Sequence, residues 1–259
     1  MSDATALSVT GRYWRWYPAE APLGHEEEAL SLDLDETVFL LVDVYGARFD
    51  DDADQSPDTP SFYRRTGADP VKDIVRNRIV PAKAAAKRAG LKVVYLTNYL
   101  SPGLSEGNEW RNMSIRTCGV DVLEAWIPPT PILEHSRIIA PEPGEPVVRK
   151  QLYSGFFETN LDSVLRGYGA RNLVVVGFDS RICLGTTVVD AMYRDYRVVV
   201  LRDAIHTMEY PETQEGGWAN FIAVRYIESN VGYTITTDEF IVACDALAAA
   251  RDGAPVAAG

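Results

Sequence analysis

Cysteine is scarce in this chain. There are three in 259 residues, Cys118, Cys183 and Cys244. An odd number at uneven spacing makes no disulfide framework, so a reducing, cytoplasmic compartment is expected. Histidine is equally scarce. His25, His135 and His206 form no D-x-H or H-x-x-H cluster, so no metal site is expected. Lys and Arg number 25 against 37 Asp and Glu, giving a net charge of −12 and a pI of about 4.7. So acidic a surface suits phosphate backbones poorly, and no basic-aromatic stripe offsets it; no nucleic-acid partner is expected. Long apolar runs are missing too. None could cross a bilayer, and MSDATALSVTGRYWRWYP lacks the apolar core of a signal peptide. No Walker loop is present, and no G-x-G-x-x-G follows a strand.

What is present is an ordinary globular composition, 46% hydrophobic and 24% charged, enough for one large domain. Residues 1–36 read as an arm rather than a core element, with aromatic and basic GRYWRWYP followed by acidic HEEEALSLDLDE. Residues 37–250 read as the domain and 251–259 as a tail. VFLLVDV (38–44) is a continuous apolar run, as in a strand buried on both faces. A polar loop (49–70) and a helix ending at Gly90 follow, with Pro81 marking a kink or break. LKVVYLTN (91–98) is the second strand, and 99–135 reads as irregular, like a cap or lid. Then come a short strand PVVRK (146–150) and a helix opened by Thr159, with Asp162 in the capping-box position. NLVVVGF (172–178), YRVVVLRDA (196–204) and YTITT are further strands, and helices follow each of them. This alternation predicts an α/β fold, a three-layer α/β/α sandwich on a mostly parallel sheet.

In such a sheet the C-terminal strand ends converge on one edge, where sites form. Three reactive groups fall there. Asp43 ends the first apolar strand, Lys150 ends PVVRK, and Cys183 stands at a strand-to-helix turn in VVVGFDSRICLGTTVVDAM. A helix N-terminus favours negative charge, so this position should lower the thiol pKa. The amides of such a turn can also hold an oxyanion. Each residue has a plainer reading: a packing cysteine, a capping aspartate, an exposed lysine. Cys244, on the apolar helical face of IVACDALAA, reads as core, and Cys118 has no assigned role.

Together, VFLLVDV, VVRKQLYSGFFETNLDSVLRGYG and NLVVVGFDSRICLGTTVVDAMYRDYRVVVLRDA resemble the isochorismatase-like cysteine hydrolases over about residues 36–245. The K-x-x-Y-S-G-F-F-x-T-x-L-D stretch is most similar to ureidoacrylate and N-carbamoyl amidohydrolases. The resemblance implies a Rossmann-like sheet, a Cys183 nucleophile, Asp43 as proton carrier and Lys150 as the cation that favours the thiolate. It also implies a cis peptide at Phe178–Asp179, with the amides of Asp179 and Cys183 forming the oxyanion hole. No cofactor is implied. Thr187 and Asp190 match the family pattern as structural polar groups. Two departures stand out: Asp43-Val44-Tyr45 where the family has D-x-Q, and Phe178-Asp179-Ser180-Arg181 where it has I/V-A-T-x. Asp179 should therefore point away from the oxyanion hole or pair with Arg181.

By the same resemblance Asn98 is placed to orient a substrate amide. Tyr45, Phe49, Tyr153 and Trp110 are candidates to line the pocket, and Arg181 to pair with a substrate carboxylate; packing or surface roles are equally open for each. The implied partner is a small amide or ureide, and the implied assembly a homodimer or homotetramer, with GRYWRWYP able to reach across an interface. The expected reaction is cleavage of a C–N bond of a linear amide, ureide or N-carbamoyl compound through a thioester. An aromatic or heteroaromatic carboxamide substrate is one alternative, and a non-catalytic binding or assembly subunit is another.

Overall fold

The computed structural model describes residues 5–18, 20, 24–46, 70–101, 108–127, 130 and 132–252, save the side chains of Val122 and Ala125. Strands are β1 Ala6–Arg15, β2 Gly24–Asp33, β3 Thr37–Val42, β4 Lys92–Asn98, β5 Val147–Lys150, β6 Asn172–Phe178, β7 Arg197–His206 and β8 Tyr233–Ile235. Helices are α1 Pro70–Ile74, α2 Val80–Ala89, α3 Glu109–Cys118, α4 Leu161–Gly167, α5 Cys183–Met192, α6 Trp218–Asn230 and α7 Thr237–Asp252. The sheet runs β2-β1-β8-β7-β6-β3-β4-β5. From β8 to β5 every pair is parallel.

Every residue of β3 and β6 is buried, because helices cover both faces of the sheet. The pleat sends alternate side chains to opposite sides. Phe39, Leu41, Val174 and Val176 join α1, α2 and α7 in one core layer. Leu40, Val42, Leu173 and Val175 join α4, α5 and α6 in the other. The three-layer α/β/α sandwich expected from the alternation is the observed architecture.

Four local expectations change. Residues 1–36 are not simply an arm. Within them β1 and β2 pair antiparallel over ten residue pairs as a hairpin, which joins the sheet through Arg12 opposite Thr234. Leu7, Val9, Leu30 and Leu32 lie in the core. The hairpin therefore packs on its own domain. The 99–135 segment is not irregular throughout. It holds α3, capped by the Asn108 side chain accepting from Trp110 N at 2.8 Å and closed by Gly119 at φ 74°. The kink expected at Pro81 takes the form of a π-turn, Val75–Ile79. Proline has no N–H to return to Asn77, which lies inside that turn. Helix α4 has Asn160, not Thr159, at its N-cap; Thr159 accepts from Leu161 N at 3.1 Å just before it. Asp162 instead binds Arg166 at 2.7 Å and the Tyr196 hydroxyl at 2.9 Å. The polar loop at 49–70 lies outside the described residues, save for Pro70, which opens α1.

Candidate active site

Neighbouring strands β6, β3, β4 and β5 deliver the site from one sheet edge. Asp43 follows β3 with φ 53°, a left-handed conformation that aspartate tolerates better than most residues. Its amide donates to Leu96 O at 3.2 Å, which fastens it to β4. Beside it, Gly177 has φ 117°, and a Cβ there would lie 2.1 Å from Val42 O. Only glycine lets β6 approach β3 this closely. Asn98 and Lys150 are register partners at the ends of β4 and β5.

Lys150 is fully buried. Its ammonium donates to Asp43 Oδ2 at 2.7 Å, to Asn98 Oδ1, and to Leu152 O at 3.4 Å. Three protons thus meet three acceptors. Burial pulls the Lys150 pKa down, but Asp43 and Cys183 outweigh it and hold the group above its ordinary value. The second Asp43 oxygen, Oδ1, is buried and accepts no hydrogen bond among the described residues. A buried carboxylate oxygen without a donor is costly, and it leaves the acid one acceptor to use on a reactant.

Cys183 opens α5 and is half-buried. Its amide lies in the first helical turn, where amides lack intrahelical acceptors. The expected lowering of the thiol pKa is not what its surroundings produce. Burial pushes it well above the thiol range; Lys150 opposes that, while Asp43 and Asp179 add to it. The reason is charge balance. Asp43 and Lys150 neutralise each other, so a thiolate would stand as a net negative charge in a water-poor site. Burial and the two carboxylates thus favour the thiol over the thiolate, and Lys150 opposes them.

The Phe178–Asp179 peptide is cis. Asp179 O accepts from Ile182 N at 3.0 Å and Leu184 N at 3.1 Å, tying the turn to α5. Asp179 itself is half-buried. Arg181 is exposed; its guanidinium lies 4.7 Å over the Tyr210 ring and donates to that hydroxyl.

The remaining candidates fall in different places. Tyr45 is buried, and its hydroxyl accepts from Asn98 Nδ2 at 2.7 Å. Trp110 and Tyr153 meet edge to face at 5.8 Å, both half-buried. Phe49 lies outside the described residues. Cys244 is core, and Cys118 is exposed at the end of α3. A cavity of about 680 Å³ flanks the site between α5, α6 and the turn after Lys150, with Tyr153, Arg181, Thr186 and Tyr226 in its wall. Asp43, Lys150 and Cys183 do not line it. Among the described residues no three His, Cys, Asp or Glu side chains converge as metal ligands do. No described helix is long and apolar enough to cross a membrane. Ser154 and Gly155, which bind α5 through Asp190 and Thr187, were not marked by the sequence as site residues; YSGFF right after Lys150 was the available signal.

Comparison with known proteins bears on the family and the fold. The isochorismatase domain model matches residues 60–239. Ureidoacrylate amidohydrolase RutB of Methylorubrum extorquens is 31% identical over 247 residues, covering 83% of this chain and 91% of the relative. Its counterpart in Variovorax paradoxus is 29% identical, covering 86% and 87%. Among solved structures, a cysteine hydrolase from Pseudomonas syringae pv. phaseolicola superposes with TM-score 0.68 at 26% identity, covering 83% of this chain and 95% of that one. N-carbamoylsarcosine amidase from Thermoplasma acidophilum gives TM-score 0.56 at 25% identity, covering 78% and 97%. A parallel sheet of this order, edged by Asp43, Lys150 and Cys183, and a family model spanning most of the chain lead to one assignment: the chain belongs to the isochorismatase family.

Proposed function

We propose that this chain is a cysteine amidohydrolase acting on a small ureide or N-carbamoyl compound with its own side chains alone. The observation that carries the reading is the buried Lys150–Asp43 pair beside Cys183, with Asp43 Oδ1 accepting no other hydrogen bond among the described residues. The names of the relatives support the substrate class: ureidoacrylate for one, N-carbamoylsarcosine for another.

The steps follow from these positions. Cys183 Sγ attacks the carbonyl carbon as its proton passes to Asp43 Oδ1. The carbonyl electrons move to oxygen, where the amides of Asp179 and Cys183 receive the charge. The C–N bond then breaks, and Asp43 returns the proton to the departing nitrogen. A carbamoyl thioester remains on Cys183. Asp43 next takes a proton from water, the hydroxyl attacks the thioester, and the sulfur leaves and regains its proton. One water is consumed. A ureide yields its amine and a carbamate, which decays to ammonia and carbon dioxide. Lys150 stays protonated throughout, so Asp43 is never left as an isolated buried charge. We further propose a cytoplasmic enzyme that works as a homo-oligomer.

The test is ammonia release from ureidoacrylate and N-carbamoylsarcosine, with benzamide and nicotinamide as ring carboxamides and Cys183→Ala as control. Turnover of a ureide, lost in Cys183→Ala, is expected. Release from the ring carboxamides alone replaces the substrate class, and full turnover by Cys183→Ala removes the mechanism.

A further inference from the structure

We infer that Tyr45 is a positioning residue that fixes the orientation of the Asn98 amide and, through it, holds the Lys150 ammonium on Asp43; this rests on the triad reading above. The two ends of an asparagine amide are nearly identical in shape, and only partners distinguish them. Here the Tyr45 hydroxyl accepts twice from Asn98, from its backbone N at 3.1 Å and its Nδ2 at 2.7 Å. With Nδ2 engaged there, and also donating to Asp43 Oδ2 at 3.5 Å, Oδ1 faces Lys150 and accepts from Nζ. A flipped amide would set Nδ2 against an ammonium, donor to donor, and remove one of the three acceptors of a fully buried lysine. Such a loss is large in a site without water to replace it.

Lys150, a donor only, and Asp43, an acceptor only, set this choice, and Tyr45 is well placed to brace it. It is 4% exposed and packs with Ile132 and Leu133. Its backbone bridges His135, while Gly46 N donates to Glu134 O at 2.8 Å and Ser136 N to Val44 O at 2.9 Å. The ring is therefore clamped by a segment nearly ninety residues away in the chain, and the base Asp43 lies only two residues before it. The hydroxyl, the amide, the ammonium and the carboxylate form one chain of hydrogen bonds.

The experiment compares wild type, Tyr45→Phe, Asn98→Leu, the double variant and Cys183→Ala, each as the full chain. Two readouts are taken: steady-state ammonia release from ureidoacrylate, and iodoacetamide alkylation of Cys183 against pH, located by mass spectrometry. Phenylalanine keeps the ring in its cluster but takes the acceptor from two buried Asn98 donors, so the thermal transition should fall modestly while the chain stays folded. The expected kcat falls roughly tenfold, from the loss of both Asn98 hydrogen bonds to the hydroxyl beside a charged network. KM should stay within about twofold, since no substrate contact is removed. The alkylation midpoint should move to higher pH, because Lys150 is the group that favours the thiolate. Adding Tyr45→Phe to Asn98→Leu should cost nothing further. Wild-type kcat and alkylation in Tyr45→Phe, or fully additive losses in the double variant, with Cys183→Ala dead, would overturn the inference and leave the triad standing. Turnover by Cys183→Ala would sink the triad reading itself, and the inference with it.

Discussion

The Thr187 hydroxyl donates to the Cys183 carbonyl at 2.6 Å, one turn along the helix that the nucleophile opens. The same oxygen accepts from Gly155 N at 2.9 Å. One turn further, Asp190 accepts from Ser154 Oγ, which in turn accepts from Phe156 N at 3.1 Å. Gly155 is pressed so closely on β4 that a Cβ would lie 2.5 Å from a Leu96 methyl. The turn that begins just after Lys150 is thus pinned to the helix that begins at Cys183. Thr187→Val keeps the shape and removes both bonds, leaving a buried amide without an acceptor. The expected loss is about 1–3 kcal/mol of stability, with a drop in kcat that Thr187→Ser restores. Urea unfolding and steady-state rates check this. Wild-type values for both in Thr187→Val would show that the two segments are aligned by something else.

Asp43 has opposite effects on reactivity and turnover. Its carboxylate raises the thiol pKa of Cys183, while Lys150 lowers it. Asp43→Asn removes the first influence and keeps the second. Iodoacetamide should therefore alkylate Cys183 faster at pH 7 in Asp43→Asn than in wild type, whose midpoint should lie above the ordinary thiol value of about 8.5. Turnover should fall by roughly 10²–10⁴-fold, as for loss of a general acid–base group. Slower alkylation in Asp43→Asn would mean that Asp43 favours the thiolate instead.

Glu228 gives the amino-terminal hairpin an acid-sensitive attachment. It is 4% exposed and receives Arg12 at 2.6 Å, His25 at 3.0 Å, Arg225 at 3.3 Å and Thr234 at 2.7 Å. Arg12 and His25 belong to the hairpin, and the Arg225 guanidinium covers the Trp14 ring at 4.0 Å. Burial pushes the Glu228 pKa up, but the bonds from Thr234, His25 and Arg12 outweigh it, so it is held below the ordinary carboxylate value. A depressed carboxylate stabilises the fold fully above its unfolded pKa, about 4.3. That contribution is lost as pH falls through the folded value. Amide exchange in β1 and β2 should accelerate below about pH 4.3, ahead of β3 and β6. Glu228→Gln should show the faster exchange already at neutral pH. A hairpin that exchanges with the central strands at every pH would remove Glu228 as the attachment.

Legibility of the sequence follows sequence distance. β3 and β6 could be read because burial on both faces leaves a continuous apolar signal, Val38–Val42 and Leu173–Val176. Asp43, Lys150 and Cys183 could be read because each ends a strand or opens the helix after one. The hairpin could not. In GHEEEALSLD only Leu30 and Leu32 are buried, and the anchor of Arg12 lies 216 residues away. Helix α3 buries no residue, so its apolar periodicity is weak; Asn108 and Gly119, which cap it, were the readable signals. The Tyr45–Asn98 contact spans 53 residues. The protonated thiol was hidden for the same reason. A helix N-terminus is visible in sequence, but a carboxylate brought beside it by folding is not.

Helix α6 carries the basis for the proposed assembly. Trp218, Phe221, Ile222 and Tyr226 recur at three- and four-residue spacing, and all are about half exposed. Phe157 stands beside them on the cavity rim with Ile222 and Tyr226. An apolar face of this extent on a single copy is unfavourable in water. A two-fold interface would let this ridge and the adjoining cavity of one copy meet the same features of another. Ile222→Arg places a charge at the centre of that face and touches none of the triad. Sedimentation velocity should show wild type as a dimer or tetramer and Ile222→Arg shifted toward monomer, with amide exchange in β1 and β2 unchanged. A monomeric wild type removes the oligomer, and an unshifted Ile222→Arg moves the interface off α6.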